Sequence, residues 1–527
     1  MLNFHPGEAT NSRPLLAGHG YRGLVITIEA LSMPKTLSQL LLPPPPSAPG
    51  ILRSLVAGTV ALALTGCAVG PDYRQPQTVT PDQWQELPAT GVRVESPDAP
   101  SLAAWWTTLN DPQLNEFIER ALAENKSVKQ AYARVVQARA QRAIAGSGFW
   151  PNIDASASGT RIESESNFNE RGEAVSTVGE SYSTGLSARW ELDLFGGQRR
   201  SYEAAIAQLA ATEAELRDVL VVLLGDVALS YVGVRTVQSR LDFAERNLES
   251  QREALDITRW RAEAGLTTVL DVESANTSYQ QTRSQIPLLE SSLVQNMNRL
   301  AVLTGQTPGG LAAALQQRKP IPVAPVDIVV GVPADVLRRR PDIRSAERRL
   351  AAQTAQVGVA TAALYPSLSL NGSISWQSLT ASDLLDGSQV ERSGLSLSLP
   401  IFNAGSLRQN IKVQNALVDQ ALASYEDVVL AAYEETENAL YAWSSEQRRH
   451  ASLIEAVESA RRAAELALFQ YNSGLVDFET VLLADRQLIT LEDSLAVSDG
   501  EMTSNLIRLY KALGGGWSVF PAATAAR

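Results

Sequence analysis

The chain of 527 residues carries one cysteine, Cys67, and three histidines, His5, His19 and His450. Thiol and imidazole are the side chains that most readily act as nucleophile, general base or zinc ligand near neutral pH. A lone thiol forms no internal disulfide, and three scattered imidazoles offer no metal-ligand spacing. His450 follows Arg448 and Arg449 on what reads as a solvated helix face. Nothing marks a catalytic carboxylate pair either, so no enzyme, metal centre or cofactor is expected. The charges with organised spacing are Arg189, Glu191 and Asp193. On a β-strand, alternate residues share a face, so these three would stand together.

They belong to "SYSTGLSARWELDLFGG", Ser181 to Gly197. The opposite face of the same strand carries Leu186, Ala188, Trp190, Leu192 and Leu194. In a soluble sandwich the apolar face would be core and the polar face would meet bulk water. In a membrane barrel the apolar face would meet lipid and the polar face would line a lumen. The strand alone leaves both open.

Composition narrows the classes. Lys plus Arg total 45 against 57 Asp plus Glu, a net charge of −12, which argues against nucleic acid as a partner. After the leader, no stretch is expected to reach the roughly 20 apolar residues of a spanning helix. A membrane crossing would therefore use strands.

"ILRSLVAGTVALALTGCAVG" (51–70) has a basic Arg53, a short apolar run and small residues before the cysteine. This is a secretory signal pattern, and it resembles the lipobox of bacterial lipoproteins. The resemblance implies cleavage before Cys67, S-diacylglycerol on the thiol and an N-acyl chain (palmitate) on the new amine. Ala68 in place of aspartate favours the outer membrane. Residues 1–66 form the leader, with Met33 as an alternative start and 1–32 upstream of it. The leader holds four basic and two acidic residues, so the mature chain carries −14.

The mature chain reads twice. "FWPNIDASASGT" (149–160) matches "LYPSLSLNGSIS" (364–375), and "ELDLFGGQRR" (191–200) matches "SLPIFNAGSLR" (398–408). "RAEAGLTTVLDVESAN" (261–276) matches "QYNSGLVDFETVLLAD" (470–485), aligning Gly265 with Gly474, and "NRLAVLTGQ" (298–306) matches "IRLYKALGG" (507–515). Each half reads helix, strand, polar loop (161–181 and 378–393), strand, long helix, glycine turn, helix. The strands are expected to run about 9–11 residues. Apolar steps of three, four and seven from Ile206 through Leu248 mark a coiled-coil-like seam over about 60 residues, or roughly 90 Å. The expected divisions are 67–110 as a lipid-anchored extended segment, 111–310 and 341–517 as the repeats, 311–340 as an equatorial connector and 518–527 as a tail. Four strands cannot close a barrel, and open edges are not tolerated in lipid. Oligomerisation or a soluble sheet must resolve this.

The sequence resembles the TolC-like outer membrane factors, specifically the NodT-type lipoproteins of RND efflux systems. The residues that carry it are "CAVGPDYRQP" (67–76), "WWTTLNDPQLNEFIERALAEN" (105–125), "LRRRPDIRSAERRLAAQTAQVGVATAALYPSLSLNGS" (337–373), "LPIFNAG" (399–405) and the two glycine-turn blocks. It spans nearly all of 67–517. It implies a mixed α and β homotrimer whose twelve strands, four per chain, form an outer-membrane barrel continued by an α-helical coiled-coil tunnel through the periplasm. It also implies a periplasmic adaptor and an inner-membrane transporter as partners, with Arg189, Glu191 and Asp193 facing the lumen. The function implied is the passive exit duct of a tripartite efflux pump. Type I protein secretion and a non-conducting coiled-coil envelope lipoprotein are the alternatives.

In this family the glycine turns lie at a closed periplasmic tip. The matching residues are Asp271 and Tyr471, whose hydroxyl would donate to the Asp271 carboxylate. Many members carry an aspartate nine residues after the second glycine. Here that position is Leu483, leaving Asp477 or Asp485 to supply the second acidic ring. Thr268 to Asp271 also reads as a capping box, and Asp477 as an N-cap. Tyr471 also reads as helix packing. Both sets of roles stand open in the sequence.

Overall fold

The computed structural model describes residues 68–77, 84–85, 92–94, 102–168, 174–323, 328–330 and 339–517. Cys67, the leader and the tail 518–527 lie outside the described residues. The elements are β1 (Val92–Val94), α1 (Pro112–Glu124), α2 (Lys126–Ser147), β2 (Asn152–Phe168), β3 (Ala174–Leu192), α3 (Gly197–Glu263), α4 (Val269–Leu303), α5 (Ala312–Leu315), β4 (Ile328–Val330), α6 (Pro341–Ala362), β5 (Ser367–Ser378), β6 (Ser388–Ser398), α7 (Ser406–Asn472) and α8 (Phe478–Ala512).

The two halves match in length as well as order. Helices α2 and α6 have 22 residues each, α3 and α7 have 67, and α4 and α8 have 35. A helix of 67 residues reaches about 100 Å. Local chemistry starts the elements where expected. Asp111 caps α1 by accepting from the Gln113 and Leu114 N–H groups, with Pro112 in the first turn. Pro341 likewise opens α6, so the arginine-rich block before it is a helix start.

Helix α3 corrects one expectation. It holds an 18-residue window of mean hydropathy 1.7, long and apolar enough to cross a membrane, but 67% of that window is buried in the protein. These residues are core. Leu223, Leu224, Val227, Tyr231 and Val234 join Trp105, Trp106, Phe117, Leu300, Leu440, Trp443 and Leu506 in the largest apolar cluster. The segment before α1 is therefore only partly extended: Trp105–Leu109 forms a 3-10 turn whose tryptophans are buried. The connector supplies Leu311 and Leu315 to the same cluster, and β4 pairs in parallel with β1, Val92 opposite Ile328.

Beside this core, Arg340 pairs with Asp342 and Glu435 and donates to the Ala512 carbonyl, tying α6, α7 and α8 together. Asp218 of α3 faces Asp342, Arg340, Lys511 and Glu435. Burial, with the Asp342 charge, pushes its carboxyl up to about 6. The folded state then holds this proton more tightly than the unfolded chain, whose aspartate titrates near 3.9. The native advantage is full below about pH 4 and is lost as pH rises through about 6. The thermal midpoint is expected to fall over that window. Asp218→Asn should flatten the fall and add on the order of 1 kcal/mol at pH 7, solvent screening discounted. An unchanged pH profile in Asp218→Asn would contradict the assignment.

The second sheet is antiparallel, in the order β2-β3-β5-β6. Its first hairpin outruns expectation. The pairing of β2 with β3 continues to Phe168 opposite Ala174, so most of the segment read as loop 161–181 is strand. The second hairpin turns over residues 379–387. Beyond Tyr182, which sits opposite Ser378, β3 has only β2 beside it. Polarity misled here because such a ribbon has no buried face to demand apolar residues.

Candidate functional site

Register assigns the faces of the sheet. Leu186 lies opposite Ala155 and Ile374, Trp190 opposite Leu370, and Leu192 opposite Leu368, with Leu395 and Leu397 completing the rows. This face is interrupted on β6, where Ser393, Glu391 (in the row of Leu186 and Ile374) and Gln389 lie on it, and beyond the four-stranded part, where Arg161 pairs with Glu180. The other face carries Asp154, Ser156, Ser187, Arg189, Glu191, Asn371, Ser373 and Arg392. Ile153 (66%), Leu186 (50%) and Leu397 (67%) remain exposed, so nothing among the described residues covers the apolar face. A sandwich would bury it. Edge strands β2 and β6 each have only one neighbour among the described residues.

The rim toward the helices is aromatic. The Trp190 indole donates to the Phe149 carbonyl, Phe195 stacks on Tyr365 at 4.7 Å, Phe149 meets Tyr202 at 5.7 Å, and Trp150 and Phe402 are exposed. Aromatic girdles mark the interfaces of membrane barrels. Arg189 and Glu191 sit exposed on the polar face. Asp193 does not join them. The strand ends at Leu192, and the Asp193 carboxylate accepts from the Gln198 and Arg199 N–H groups and pairs with the Arg199 guanidinium. It fastens the start of α3, because four orphan N–H groups there attract an anion.

At the far end of the long helices the two turns are alike. Gly265 and Gly474 both have φ of +72°. Leu266 N–H donates to the Arg261 carbonyl and Leu475 N–H to the Gln470 carbonyl, each closing a left-handed C-terminal cap. Thr268 and Asp271 form a reciprocal capping box. Burial would raise the Asp271 carboxyl, but bonds from the Thr267 hydroxyl and from the Thr268 N–H and hydroxyl hold it below the usual range. Asp477 caps α8, accepting from the Thr480 N–H and hydroxyl. Those bonds lower its pKa, while the Asp271 charge works against them.

The bond from Tyr471 to Asp271 is not formed within the chain. The Tyr471 oxygen is buried and has no hydrogen-bond partner among the described residues. Its ring packs on Phe478 at 5.3 Å, and the Arg261 guanidinium lies over it at 4.5 Å. Sequence reasoning missed Arg261, although it stands four residues before Gly265, where a basic residue suits a helix C-terminus. Asp485 lies between the helices rather than at the turn. It borders a cavity of about 220 Å³ with Gln251, Ser278 and Phe478, and burial raises its pKa. Among the described residues, no group of three or more metal-ligating side chains converges.

An open sheet with one uncovered apolar face and a polar face opposite, carried on two long helical hairpins, defines a subunit of an oligomeric membrane barrel with a helical extension. The family model described as "Outer membrane efflux protein" matches residues 117–306 and again 332–515. Nodulation protein T of Rhizobium leguminosarum bv. viciae is 34% identical over 464 residues, covering 88% of this chain and 94% of that protein. The solvent efflux pump outer membrane protein SrpC of Pseudomonas putida is 33% identical over 461 residues, covering 87% and 97%. The solved structure of the outer-membrane channel OprN is 36% identical, with a TM-score of 0.77, covering 86% of this chain and all of that one. The chain belongs to the outer membrane efflux protein family. It is the outer-membrane channel of an efflux system, in which three chains close a twelve-stranded barrel continued by a helical tunnel into the periplasm.

Proposed function

We propose that the chain is the passive exit duct for small molecules of the drug and organic-solvent class, that it catalyses no reaction, and that lipid on Cys67 anchors it. A periplasmic adaptor would dock on its helical tips, with an inner-membrane transporter behind the adaptor. The observation that carries the partner reading is the tip itself. Trp260, Leu266, Val269, Leu270, Phe469 and Leu475 are each at least two-thirds exposed around the two glycine turns. Apolar side chains gathered at a helix end suit a protein partner.

In this reading the resting tip is narrow and acidic. Asp271 and Asp477, repeated by the three-fold axis, favour cations at the mouth, and Arg189 and Glu191 face the lumen. The link between α3 and α7 at the tip is the Arg261 guanidinium on the Tyr471 ring. Such a contact contributes about 0.5–2 kcal/mol. Three copies released together, roughly 1.5–6 kcal/mol, would shift an opening equilibrium by about tenfold at the low end and about 10⁴-fold at the high end.

The test is single-channel conductance of purified protein in planar bilayers. Native channels should conduct weakly and select cations. Arg261→Ala should raise the open fraction, whereas Tyr471→Phe, which keeps the ring and removes an unpartnered hydroxyl, should not. No current from any inserted variant would favour the non-conducting lipoprotein. A rise in Tyr471→Phe alone would return the gate to a hydroxyl bond made across protomers.

A further inference from the structure

Glu391 is a carboxylate on the face that meets lipid. It lies on β6 opposite Ile374, in the row of Leu186 and Ala155. It stands seven residues from the end of β6 at Ser398. At about 3.3 Å per residue and a tilt near 40° this is roughly 18 Å up, still inside the ~25 Å lipid band. A charge on that face is costly unless it is paired. Its bond within the chain is to the Gln389 side-chain amide at 2.7 Å, a neutral donor. The free edge of β6 lies beside it. In the closed barrel that edge is covered by β2 of the partner subunit, antiparallel to β6, because lipid tolerates no open edge.

Family membership gives the closed barrel but not the register of this seam. Three constraints supply it. Directly opposite residues share a face, so Glu391, Leu395 and Leu397 must meet odd-numbered residues of β2, the set that holds Ala155. Stagger is the second. Asn152 begins β2 opposite Arg189, whereas Ser398 ends β6 opposite Ser367, one step past the pair of Leu368 with Leu192. The helix-side ends therefore drift four positions along β3 over three strand steps. Twelve strands tilted about 35–45° need roughly four to six residues of stagger per protomer, in the same direction. The face rule admits only even values. Chemistry is the third. A stagger of six sets Glu391, Val390, Leu395 and Leu397 opposite the partner subunit's Arg161, Ile162, Ala157 and Ala155. Ile162, 61% exposed on the polar face of the isolated chain, then gains an apolar neighbour. A stagger of four leaves Glu391 opposite Gly159 of the partner subunit, and eight sets it against the like charge of Glu163 of the partner subunit.

We propose that Glu391 forms an ion pair with Arg161 of the partner subunit on the outer wall of the barrel, once at each of the three seams, and that this pair sets the register in which the subunits join. Within the chain Arg161 reaches Glu180 at 3.4 Å with both side chains well exposed, so its guanidinium keeps donors for a second carboxylate. Glu180, Arg161 and Glu391 then stand in one line across three strands with alternating sign. The rest of the seam discriminates poorly. Ser393, Gly394 and Ser396 face a β2 segment of Ser156, Ser158 and Gly159, and small residues of this kind slip by two positions at little cost. The charged pair is what makes a slipped seam unfavourable.

Double-cysteine variants of the full-length protein, oxidised with copper–phenanthroline in the outer-membrane fraction and run denatured, read the register. A disulfide needs Cα atoms about 4.4–6.8 Å apart, which directly opposite residues satisfy and residues two steps away do not. Leu395→Cys with Ala157→Cys should give covalently linked protomers, since β2 and β6 are opposite edges of the sheet within one chain. Leu395→Cys with Ala155→Cys, or with Gly159→Cys, should give roughly tenfold less, and the single variants control for Cys67. A strongest product at Ala155 or Gly159 would overturn the register. No product from any pair, in trimer that still resists SDS, would overturn the pairing of β6 with β2. Charge reversal reads the ion pair. In a Glu180→Gln background, which removes the competing partner within the chain, Glu391→Arg should lower the yield of SDS-resistant trimer on the order of tenfold. Adding Arg161→Glu should restore most of it. A yield that stays low in the double reversal would overturn the pair.

Discussion

Leu186→Arg is expected to abolish the assembled barrel, while Ser187→Arg, one residue along, is expected to leave it assembled. Leu186 shares its face with Trp190, Ile374 and Leu370, and Ser187 shares the other with Arg189 and Asp154. Leu186 stands six residues from the strand's end at Leu192. At about 3.3 Å per residue and a tilt near 40° this is roughly 15 Å up, close to the middle of the ~25 Å lipid band. Arginine there costs about 2–4 kcal/mol per copy, hence roughly 6–12 per trimer. That is comparable with the whole stability of an ordinary domain. The same charge in Ser187→Arg enters water, and its effect should be a weaker preference for cations. The measurement is the yield of SDS-resistant trimer in the outer-membrane fraction, with ion selectivity for the survivor. Assembly of Leu186→Arg with failure of Ser187→Arg would invert the assignment of lipid and lumen.

The features legible in sequence were those enforced by a period or a covalent constraint. Strand faces followed from alternation at Leu186 to Leu192, and the register confirms that neighbouring strands share them. The long helices followed from uninterrupted heptad-like steps, and their 67-residue twins confirm the repeat. What escaped had no period. The β2–β3 ribbon carries little apolar residue beyond the sheet, so its strands looked like loop. Asp193 continued the alternation by one step, but the orphan N–H groups of α3 claimed it. Asp271 satisfied two patterns at once, and within the chain the capping box is the one its geometry forms. Arg261 acts through a contact far away in sequence, with Tyr471, which no local spacing encodes.

The same logic ranks the core. Trp443→Ala is expected to cost about 3–5 kcal/mol per chain, the usual toll for emptying a fully buried large aromatic site. Trp443 is 0% exposed and packs in the cluster that joins α3, α4, α7, α8 and the tryptophans before α1. That cluster is where the two repeats meet, so a void there loosens both long hairpins together. Its indole N–H is buried without a hydrogen-bond partner among the described residues. Trp443→Phe therefore removes volume but sacrifices no bond, and it should cost less than about 1.5 kcal/mol. Chemical denaturation followed by the helical circular dichroism signal would separate the two. A large loss for alanine and a small one for phenylalanine fits a packing role. Equal losses would mean that the indole N–H is bonded in the assembled trimer, and that the tryptophan is held by its nitrogen as well as by its area.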